Sequence, residues 1–326
     1  MATNVNNINL QVIEFEMLDK SKYFPLTMLS SFSVRGILYP FSLIKTRLQI
    51  QRGTALYKGT IDAFIKITKN ESIFGLYRGF WINALQVLPT VGYISTYETT
   101  RQFLKENSDL RESKLRSFIS GGAASLVGQT MSVPIDIVSQ HIMLLGQRTS
   151  KKTNVDQKLM KLQTLHISEK ARLSNFGSVP EIIQQIYIRD GLRGFYKGYF
   201  VSILVFAPNS ALWWTFYDTY TSMFAAASPD WIPRLTLQCL AACLSGVSAS
   251  TITNPLDVIR ARIQVEGCSF PTTIQILWKE EGVKMAFKGL SARVIQSVVF
   301  SFFIILGYES IKRCSLLKEY QKDIRW

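Results

Sequence analysis

The sequence repeats one pattern three times, and this repetition constrains the fold more than any other feature. The stretches "YPFSLIKTRLQ", "VPIDIVSQHIM" and "NPLDVIRARIQ" align on Pro40, Pro134 and Pro255. Each stretch closes an apolar run and carries polar or charged residues at the same offsets from its proline. A unit that recurs in this way predicts three equivalent substructures set around a common axis.

Two further signatures follow each proline motif in the same order. The first joins an acid, an aromatic residue, a base and a glycine in "ESIFGLYRG" (71–79), "DGLRGFYKG" (190–198) and "EGVKMAFKG" (281–289). The second reads "YETTR" (97–101), "YDTYT" (217–221) and "YESIK" (308–312). Three signatures in one order, found three times, indicate tandem repeats rather than chance matches.

Six mostly apolar stretches of about 20 residues are each long enough to cross about 30 Å of hydrocarbon as a helix. They cover residues 23–44, 79–97, 117–138, 199–217, 236–256 and 290–308. Polar residues interrupt several of them, and we expect these to face other helices or a water-filled cavity, because lipid penalises them. The predicted fold is an all-α membrane protein with six transmembrane helices in three pseudo-symmetric hairpin repeats, each with a short amphipathic helix in its loop.

The repeats divide the chain into an N-terminal segment and three similar units. The predicted boundaries are 1–22, 23–109, 110–228 and 229–326, with a long polar loop over 146–176. The loops within repeats are rich in Lys and Arg, whereas the connection 222–235 carries only Asp230 and Arg234. By the charge rule the basic loops face the electrically negative compartment. The N-terminus shows no cleavable signal, so an organelle address is expected to be internal.

Composition argues against several other classes of protein. The net charge is +14, but the basic residues are spread over loops without a nucleic-acid-binding motif. The four cysteines form no CxxC pair and there are two histidines, so neither a metal site nor a cofactor is expected. A membrane enzyme would need an HExxH motif, a Ser/His/Asp set or a further carboxylate pair, and none is visible.

The charges beside the three prolines predict ion pairs between repeats. The second position after each proline holds Ser42, Asp136 or Asp257, and the fifth holds Lys45, Ser139 or Arg260. If each acid meets the base of the next repeat, Asp136 pairs with Arg260, Asp257 pairs with Lys45, and Ser42 meets Ser139. The opposite direction leaves one acid and one base unpaired. A pair of unit charges at 4 Å gains about 4 kcal/mol at an effective dielectric of 20, so the first arrangement is expected.

Two more positions lie on the same helix face. The ninth position after each proline holds Gln49, Met143 or Gln264, and we expect the two glutamines to brace the neighbouring ion pairs. The fifth position before each proline holds Arg35, Gln129 or Ser250 and is expected to face the cavity. An arginine inside a membrane span is costly, so Arg35 is interpreted as the counter-ion of a substrate carboxylate, with an internal ion pair as the alternative.

These signatures resemble those of the mitochondrial carrier family over nearly the whole chain. The resemblance implies a monomeric, multi-pass six-helix barrel in the mitochondrial inner membrane, in contact with lipid, with cardiolipin as one candidate lipid. It also implies that a small solute crosses by alternate closure of two salt-bridge gates. The six residues that follow the prolines would form the matrix gate. The cytoplasmic gate would contain Glu98, Arg101, Asp218, Glu309 and Lys312, with Thr221 leaving one acid unmatched.

A narrower resemblance points to a substrate. The stretches "PNSALWWTFY" (208–217) and "GLSARVIQS" (289–297) are similar to those of branched-chain amino acid carriers in this family. By this resemblance the substrate contacts on the even-numbered spans fall on Tyr93, Val205, Phe206 and Ser297. An apolar wall with a carboxylate anchor suits leucine, isoleucine or valine. A carrier of another small carboxylate, or of nucleotide or phosphate, remains the alternative.

Overall fold

The computed structural model describes residues 19–51, 56–107, 113–145, 178–229 and 231–315, which form helices joined by short turns. No β-strand occurs in these ranges, in agreement with the predicted all-α class. Residues 1–18, most of the predicted N-terminal segment, and the predicted polar loop 146–176 lie outside the described residues.

Ten α helices follow one another in the described ranges. They are α1 (Lys20–Ile50), α2 (Thr60–Glu71), α3 (Phe80–Ala84), α4 (Val87–Asn107), α5 (Ser113–Leu144), α6 (Ser178–Asp190), α7 (Tyr199–Ala227), α8 (Arg234–Glu266), α9 (Phe270–Glu281) and α10 (Leu290–Cys314). Short 3-10 helices cover Ile73–Tyr77, Gly191–Tyr196 and Gly282–Phe287. Each repeat thus contains a long helix, a short helix with a 3-10 turn, and a second long segment.

The predicted spans differ from the helices in two respects. The odd spans are parts of longer helices, because α1, α5 and α8 continue through their prolines to Ile50, Leu144 and Glu266. The second span was predicted as one stretch, but a turn at Leu85 and Gln86 separates α3 from α4. Length and apolar composition alone mark two described stretches as candidate membrane spans, Ser178–Ala227 and Leu235–Glu266.

The short helices bury their apolar faces against the long ones in three separate clusters. Ile67 of α2 packs near Leu43 of α1, and Ile182 of α6 packs near Ile137 of α5. In the third repeat Leu277 of α9 packs with Val258 of α8. Full burial of such a side chain contributes roughly 1.5–3 kcal/mol, so each cluster fixes a short helix beside the charged end of its long helix.

The glycine that ends each loop signature joins one repeat to the next. Gly79, Gly198 and Gly289 have φ of 83°, 74° and 66°, a left-handed conformation that strains other residues. A Cβ at Gly79 would lie 3.0 Å from Ile142, and one at Gly289 would lie 2.9 Å from Gln49. A Cβ at Gly198 would lie 3.1 Å from Ile263. The contacts run from each repeat to the next in one direction, as cyclic symmetry requires.

Candidate gate and cavity

The two predicted ion pairs between repeats are present. The Lys45 Nζ lies 2.6 Å from the Asp257 Oδ2, which joins α1 to α8. The Arg260 guanidinium donates to the Asp136 carboxylate and so joins α8 to α5. Each acid meets the base of the following repeat, the arrangement that leaves no charge of this set unpaired.

Asp257 is the more heavily surrounded of the two acids. The Arg293 Nε of α10 lies 3.7 Å from Asp257 Oδ2, and the Arg260 Nη1 lies 3.9 Å from Oδ1. The Gln49 amide donates to Asp257 Oδ2 at 3.0 Å, beside the ion pair that this glutamine was expected to brace. The buried Asp257 carboxylate therefore has three cations within 4 Å and accepts a hydrogen bond from an amide, and these groups come from three helices.

Gln264, the second glutamine expected to brace an ion pair, hydrogen-bonds to neighbours of that pair. Its amide donates to the Ser202 Oγ at 3.2 Å, and its carbonyl accepts from Gln140 Nε2 at 2.6 Å. Ser202 also accepts from the Arg260 Nε at 3.0 Å, so Gln264 reaches the ion pair only through this serine. The amide that does bind Asp136 belongs to Gln86, whose Nε2 donates to Oδ1 at 2.8 Å.

The third contact of the predicted matrix gate is neutral, but the two serines do not bind each other. The Ser42 hydroxyl accepts from the Gln296 amide at 2.8 Å. Ser139 is buried, and its hydroxyl has no hydrogen-bond partner in the part of the chain that the structure describes. The glutamine of α10 therefore occupies the place where a direct contact between the serines was expected.

A polar cavity of about 170 Å³ opens between these side chains. It is lined by Ser42, Lys45, Thr46, Gln49, Asn83, Asp136, Ser139, Gln140, Met143, Asp257, Arg260, Ala261, Gln264 and Gln296. All six residues of the predicted matrix gate contribute to this lining. A cavity of this size, lined by charges, holds several waters or the polar head of a small solute.

Arg35 lies in α1, nearly three turns before Lys45 of the ion pair. Its Nη2 donates to the backbone carbonyl of Gln86 at 3.4 Å, a long hydrogen bond. Within the described ranges it makes no ion pair shorter than 4 Å, although the charge of Asp136 acts on it from α5. The side chain thus keeps donors that are available to an anionic group.

The other predicted substrate contacts are dispersed. Ser250 is 2% exposed, and its hydroxyl donates to Gly246 O of its own helix at 2.6 Å. Val205 is buried in the apolar cluster with Val258, whereas Phe206 is 43% exposed. Tyr93 lies against Gly128, the Ser297 backbone lies against Gly246, and Gln129 is half-buried. None of these six side chains is in the lining of the cavity, so their contact with substrate stays a prediction.

Four polar residues of this region were missed: Gln86, Ser202, Arg293 and Gln296. The sequence shows them when residues are counted from the glycines that end the loop signatures, Gly79, Gly198 and Gly289. The fourth position after these glycines holds Asn83, Ser202 or Arg293, and the seventh holds Gln86, Val205 or Gln296. Arg293 also donates to Thr253 Oγ1 at 2.8 Å and to Asn209 Oδ1 at 3.3 Å. Counting from the glycines, as from the prolines, would have found all four.

The predicted cytoplasmic gate is described only in part. Arg101 is exposed, with its guanidinium carbon 6.0 Å from the centre of the Tyr97 ring, and Asp218 is also exposed. The side chains of Glu98, Glu309 and Lys312 lie outside those that the structure describes. The pairing of this gate therefore stays a prediction.

A second layer of charges follows the ion pairs towards the helix ends. Arg47 binds both oxygens of Glu71 at 2.5 and 2.9 Å and donates to the Met143 carbonyl of α5 at 2.8 Å. Arg262 lies 3.2 Å from Glu281 and donates to the Gln51 carbonyl at 3.0 Å. Each arginine thus binds the acid of its own short helix and the end of a neighbouring long helix, where carbonyls lack partners.

Repeat 2 departs from this layer because it has His141 in place of an arginine. The His141 Nδ1 lies 2.8 Å from Ile137 O, and its buried Nε2 has no partner among the described residues. Asp190, the acid of this repeat, binds Lys197 and Arg189 instead, each at 2.6 Å. Burial alone would raise the pKa of Asp190, but the hydrogen bonds from Lys197 and Arg189 lower it.

Three helical repeats joined by charged pairs that line a polar cavity define a membrane carrier of small solutes. The family model described as mitochondrial carrier protein matches residues 21–108, 111–228 and 233–319, and the chain belongs to the mitochondrial carrier family. Members of this family are transporters of the mitochondrial inner membrane, so the predicted location is confirmed.

Solute carrier family 25 member 44 from Homo sapiens is 43% identical over 319 residues, 98% of each chain. The Mus musculus protein of the same name is 42% identical over the same lengths. Mitochondrial substrate carrier family protein E from Dictyostelium discoideum is 28% identical, covering 85% of this chain and 90% of its own.

Proposed function

We propose that this carrier moves branched-chain amino acids across the mitochondrial inner membrane by alternating access. In this proposal it is a monomer with six membrane-spanning segments, divided into repeats at 23–109, 110–228 and 229–326. The ion pairs beside the prolines form the matrix gate, which in this proposal is closed when Lys45 binds Asp257 and Arg260 binds Asp136. Lipid, including cardiolipin, surrounds the barrel.

The excess of positive charge around the two ion pairs carries the proposal. Of the described side chains there, Lys45, Arg260, Asp136 and Asp257 line the cavity, whereas Arg293 lies beside Asp257 and Arg35 beside Gln86, outside the lining. Three of the cations lie within 4 Å of a carboxylate, whereas Arg35 has one long hydrogen bond to a carbonyl. A substrate carboxylate would complete the coordination of Arg35 with charge-assisted hydrogen bonds.

The aromatic side chains of α7 are evidence for a substrate with an apolar side chain. Val205 is buried, so Phe206 is the half of the predicted apolar wall that remains accessible. Trp213 extends from α7 to α10, where its Nε1 donates to the Ser301 Oγ at 3.1 Å, and it stacks on Tyr217 with ring centres 5.2 Å apart. Such rings offer apolar area at small entropic cost, which suits the aliphatic side chain of leucine, isoleucine or valine.

Transport requires that substrate binding favour opening of the matrix gate. A solute with equal affinity for both states shifts no equilibrium, so its contacts must become stronger as the gate opens. Opening separates Lys45 from Asp257 and Arg260 from Asp136. Contacts between the solute and Arg35 would offset part of that loss.

Uptake by purified carrier in liposomes tests the substrate. Labelled leucine should enter, and isoleucine and valine should compete with it. The amine 3-methylbutylamine, which is leucine without its carboxylate, should not compete. Competition by ADP or phosphate without any leucine uptake would contradict the proposal and favour the nucleotide or phosphate alternative. Uptake of other small carboxylates in place of leucine would agree with Arg35 as the carboxylate anchor but contradict the branched-chain amino acid as the substrate.

Substitution of Arg35 tests the anchor. Arg35→Ala should abolish leucine uptake while the unfolding temperature stays within a few degrees of the parent, because the lost hydrogen bond is long and weak. Arg35→Lys keeps the charge but loses the planar pair of donors, so uptake should be partly retained. Near-normal uptake by Arg35→Ala would remove this residue from the site.

A further inference from the structure

Gln86 connects the proposed substrate anchor to one ion pair of the matrix gate. Its backbone carbonyl accepts from Arg35 Nη2 at 3.4 Å, and its side-chain amide donates to Asp136 Oδ1 at 2.8 Å and to Ser132 O at 3.2 Å. The other oxygen of Asp136 accepts from Arg260. We propose that Gln86 is a positioning residue that couples occupancy of Arg35 to the ion pair of Asp136 with Arg260. This inference rests on the proposed function.

The backbone around Gln86 supports this role. Gln86 is 8% exposed and lies in the turn between α3 and α4, where its N–H donates to Asn83 O at 3.0 Å. Leu88 N–H in turn donates to Leu85 O at 3.0 Å, so the chain makes tighter turns here than an α helix. Such an irregular segment is a place where a helix can bend when one of its contacts changes.

Proline alone does not explain the turn. Pro89 and Pro208 occupy the same position, ten residues after Gly79 and Gly198, yet α7 runs through Pro208 without interruption. The two segments differ at the seventh position, where Gln86 is bound to α1 and α5 and Val205 packs in an apolar cluster. The contacts of Gln86 with two neighbouring helices therefore accompany the break, and the proline permits it.

The physical link follows from the competition for Arg35. A substrate carboxylate binds a guanidinium more strongly than a neutral carbonyl does, so an occupied Arg35 leaves Gln86 O, which keeps the hydrogen bond from Thr90 Oγ1 of α4 at 3.1 Å. The turn can then move away from α1, and the Gln86 amide moves relative to Asp136. Hydrogen bonds to charged groups are among the stronger ones in proteins, so loss of this amide weakens the hold on Asp136 just as substrate is bound.

Gln296 is the matched control. It occupies the same position in repeat 3 and donates one hydrogen bond of 2.8 Å, but to the neutral Ser42, and its helix α10 is unbroken. The residue that corresponds to Arg35 in that repeat is Ser250, whose hydroxyl is bonded within α8. Gln296 thus shares the chemistry of Gln86 without its link to a charged anchor.

The first test uses thermal unfolding and needs no substrate. Gln86→Leu and Asp136→Asn are measured singly and together, beside the control pair Gln296→Leu and Ser42→Ala. Gln86→Leu should lower the unfolding temperature in the parent and have little effect once Asp136 is Asn. Additive effects of Gln86→Leu and Asp136→Asn would overturn the proposal. Gln86→Asn, a shorter amide, should give an intermediate decrease if the leucine variant fails to fold.

The second test uses leucine uptake kinetics in liposomes. Gln86→Leu should lower the maximal rate by roughly 10-fold, in line with the loss of a hydrogen bond to a charge, and change KM less than about threefold. Arg35→Lys should lower the maximal rate in the parent but only raise KM in the Gln86→Leu background. In the Gln296→Leu background its effect on the rate should persist.

Two kinetic results would overturn the coupling. One is a double variant whose fold-decrease in maximal rate equals the product of the fold-decreases of Arg35→Lys and Gln86→Leu, because independent residues behave in that way. The other is the same interaction of Arg35→Lys with Gln296→Leu, because a general packing effect would then suffice. If the parent carries no leucine, the proposed function fails. The unfolding cycle still decides the contact of Gln86 with Asp136, and the kinetic cycle is then run with the solute that the parent does carry.

Discussion

Loss of the Asp257 carboxylate should damage the matrix gate far more than loss of the Asp136 carboxylate. At an effective dielectric of 20, Coulomb attraction to Asp257 is about 6 kcal/mol for Lys45 at 2.6 Å, and about 4 kcal/mol each for Arg293 at 3.7 Å and Arg260 at 3.9 Å. These gross values are largely offset by desolvation, but they rank the two acids. Among the described residues Asp136 has one cation within 4 Å, Arg260, and that cation also lies beside Asp257.

The net effects follow from what each substitution leaves behind. Asp257→Asn leaves Lys45, Arg260 and Arg293 close together, and removal of one partner of a buried pair costs about 3–5 kcal/mol. Asp136→Asn leaves Arg260 with Asp257 as a second partner, so about 1–3 kcal/mol is expected. At roughly 2 °C per kcal/mol for a chain of this size, the unfolding temperature should fall by about 6–10 °C and about 2–6 °C.

Both variants are compared by thermal unfolding of the purified carrier in lipid. Lys45→Met, alone and combined with Asp257→Asn, completes a double-mutant cycle. In the Asp257→Asn background Lys45→Met removes one of three repelling cations, so the double variant should be more stable than Asp257→Asn alone. Equal decreases for the two acids would refute the ranking. A further decrease in the double variant, equal to that of Lys45→Met in the parent, would refute the reasoning from charge.

Two more results are expected. Arg47→Met should strongly destabilise the carrier, because it leaves the buried Glu71 carboxylate without its bidentate partner. His141→Met should leave the unfolding temperature within a few degrees, because Nε2 has no partner among the described residues and Nδ1 contacts only a carbonyl of its own helix, Ile137 O. Equal decreases in calorimetry would contradict this. Burial lowers the pKa of Lys288 to about 8 despite the hydrogen bond to Glu281. Between pH 8 and its unfolded pKa near 10.4 the unfolded chain binds the proton that the folded chain has lost, so the contribution of Lys288 to stability rises with pH. The unfolding temperature of the parent minus that of Lys288→Met should therefore increase from pH 7.5 to pH 9.5, and a constant difference would contradict the shift.

The ion pairs could be predicted because symmetry converts sequence offsets into spatial neighbours. Residues at one offset from Pro40, Pro134 and Pro255 must occupy equivalent places, so charge matching alone chose the partners. The same reasoning did not find the contacts of Gln264, since an amide has several possible partners and this one donates to Ser202. Charge is strongly selective over a few ångströms, whereas a hydrogen bond depends on local geometry that offsets do not specify.

Helix rotation explains why the predicted binding residues were less reliable. Ser250 lies on the expected stripe, but small residues bring α8 and α10 close together: a Cβ at Gly246 would lie 2.8 Å from Ser301 Oγ and 3.1 Å from Ser297 O. This close approach buries Ser250 between helices instead of in the cavity. Arg35, on the same stripe of α1, keeps a half-buried position next to the turn at Gln86. The rotation of each helix about its axis depends on its neighbours and cannot be read from one helix alone.

The distribution of charge over the gate indicates where it opens. Both charged pairs include α8, because Lys45 of α1 binds Asp257 and Asp136 of α5 binds Arg260. Between α1 and α5 the gate positions are the neutral Ser42 and Ser139, and the hydrogen bond from Arg47 to the Met143 carbonyl joins the two helices further along. Separation of α1 from α5 thus breaks no ion pair between charged gate residues, whereas separation of either helix from α8 breaks one. Arg35 on α1 and the amide of Gln86 on Asp136 of α5 lie at this same boundary between repeats 1 and 2. In the proposed function, a substrate bound at Arg35 would therefore act on the boundary that no ion pair between gate residues opposes, and the two ion pairs of α8 would break only after that boundary has widened.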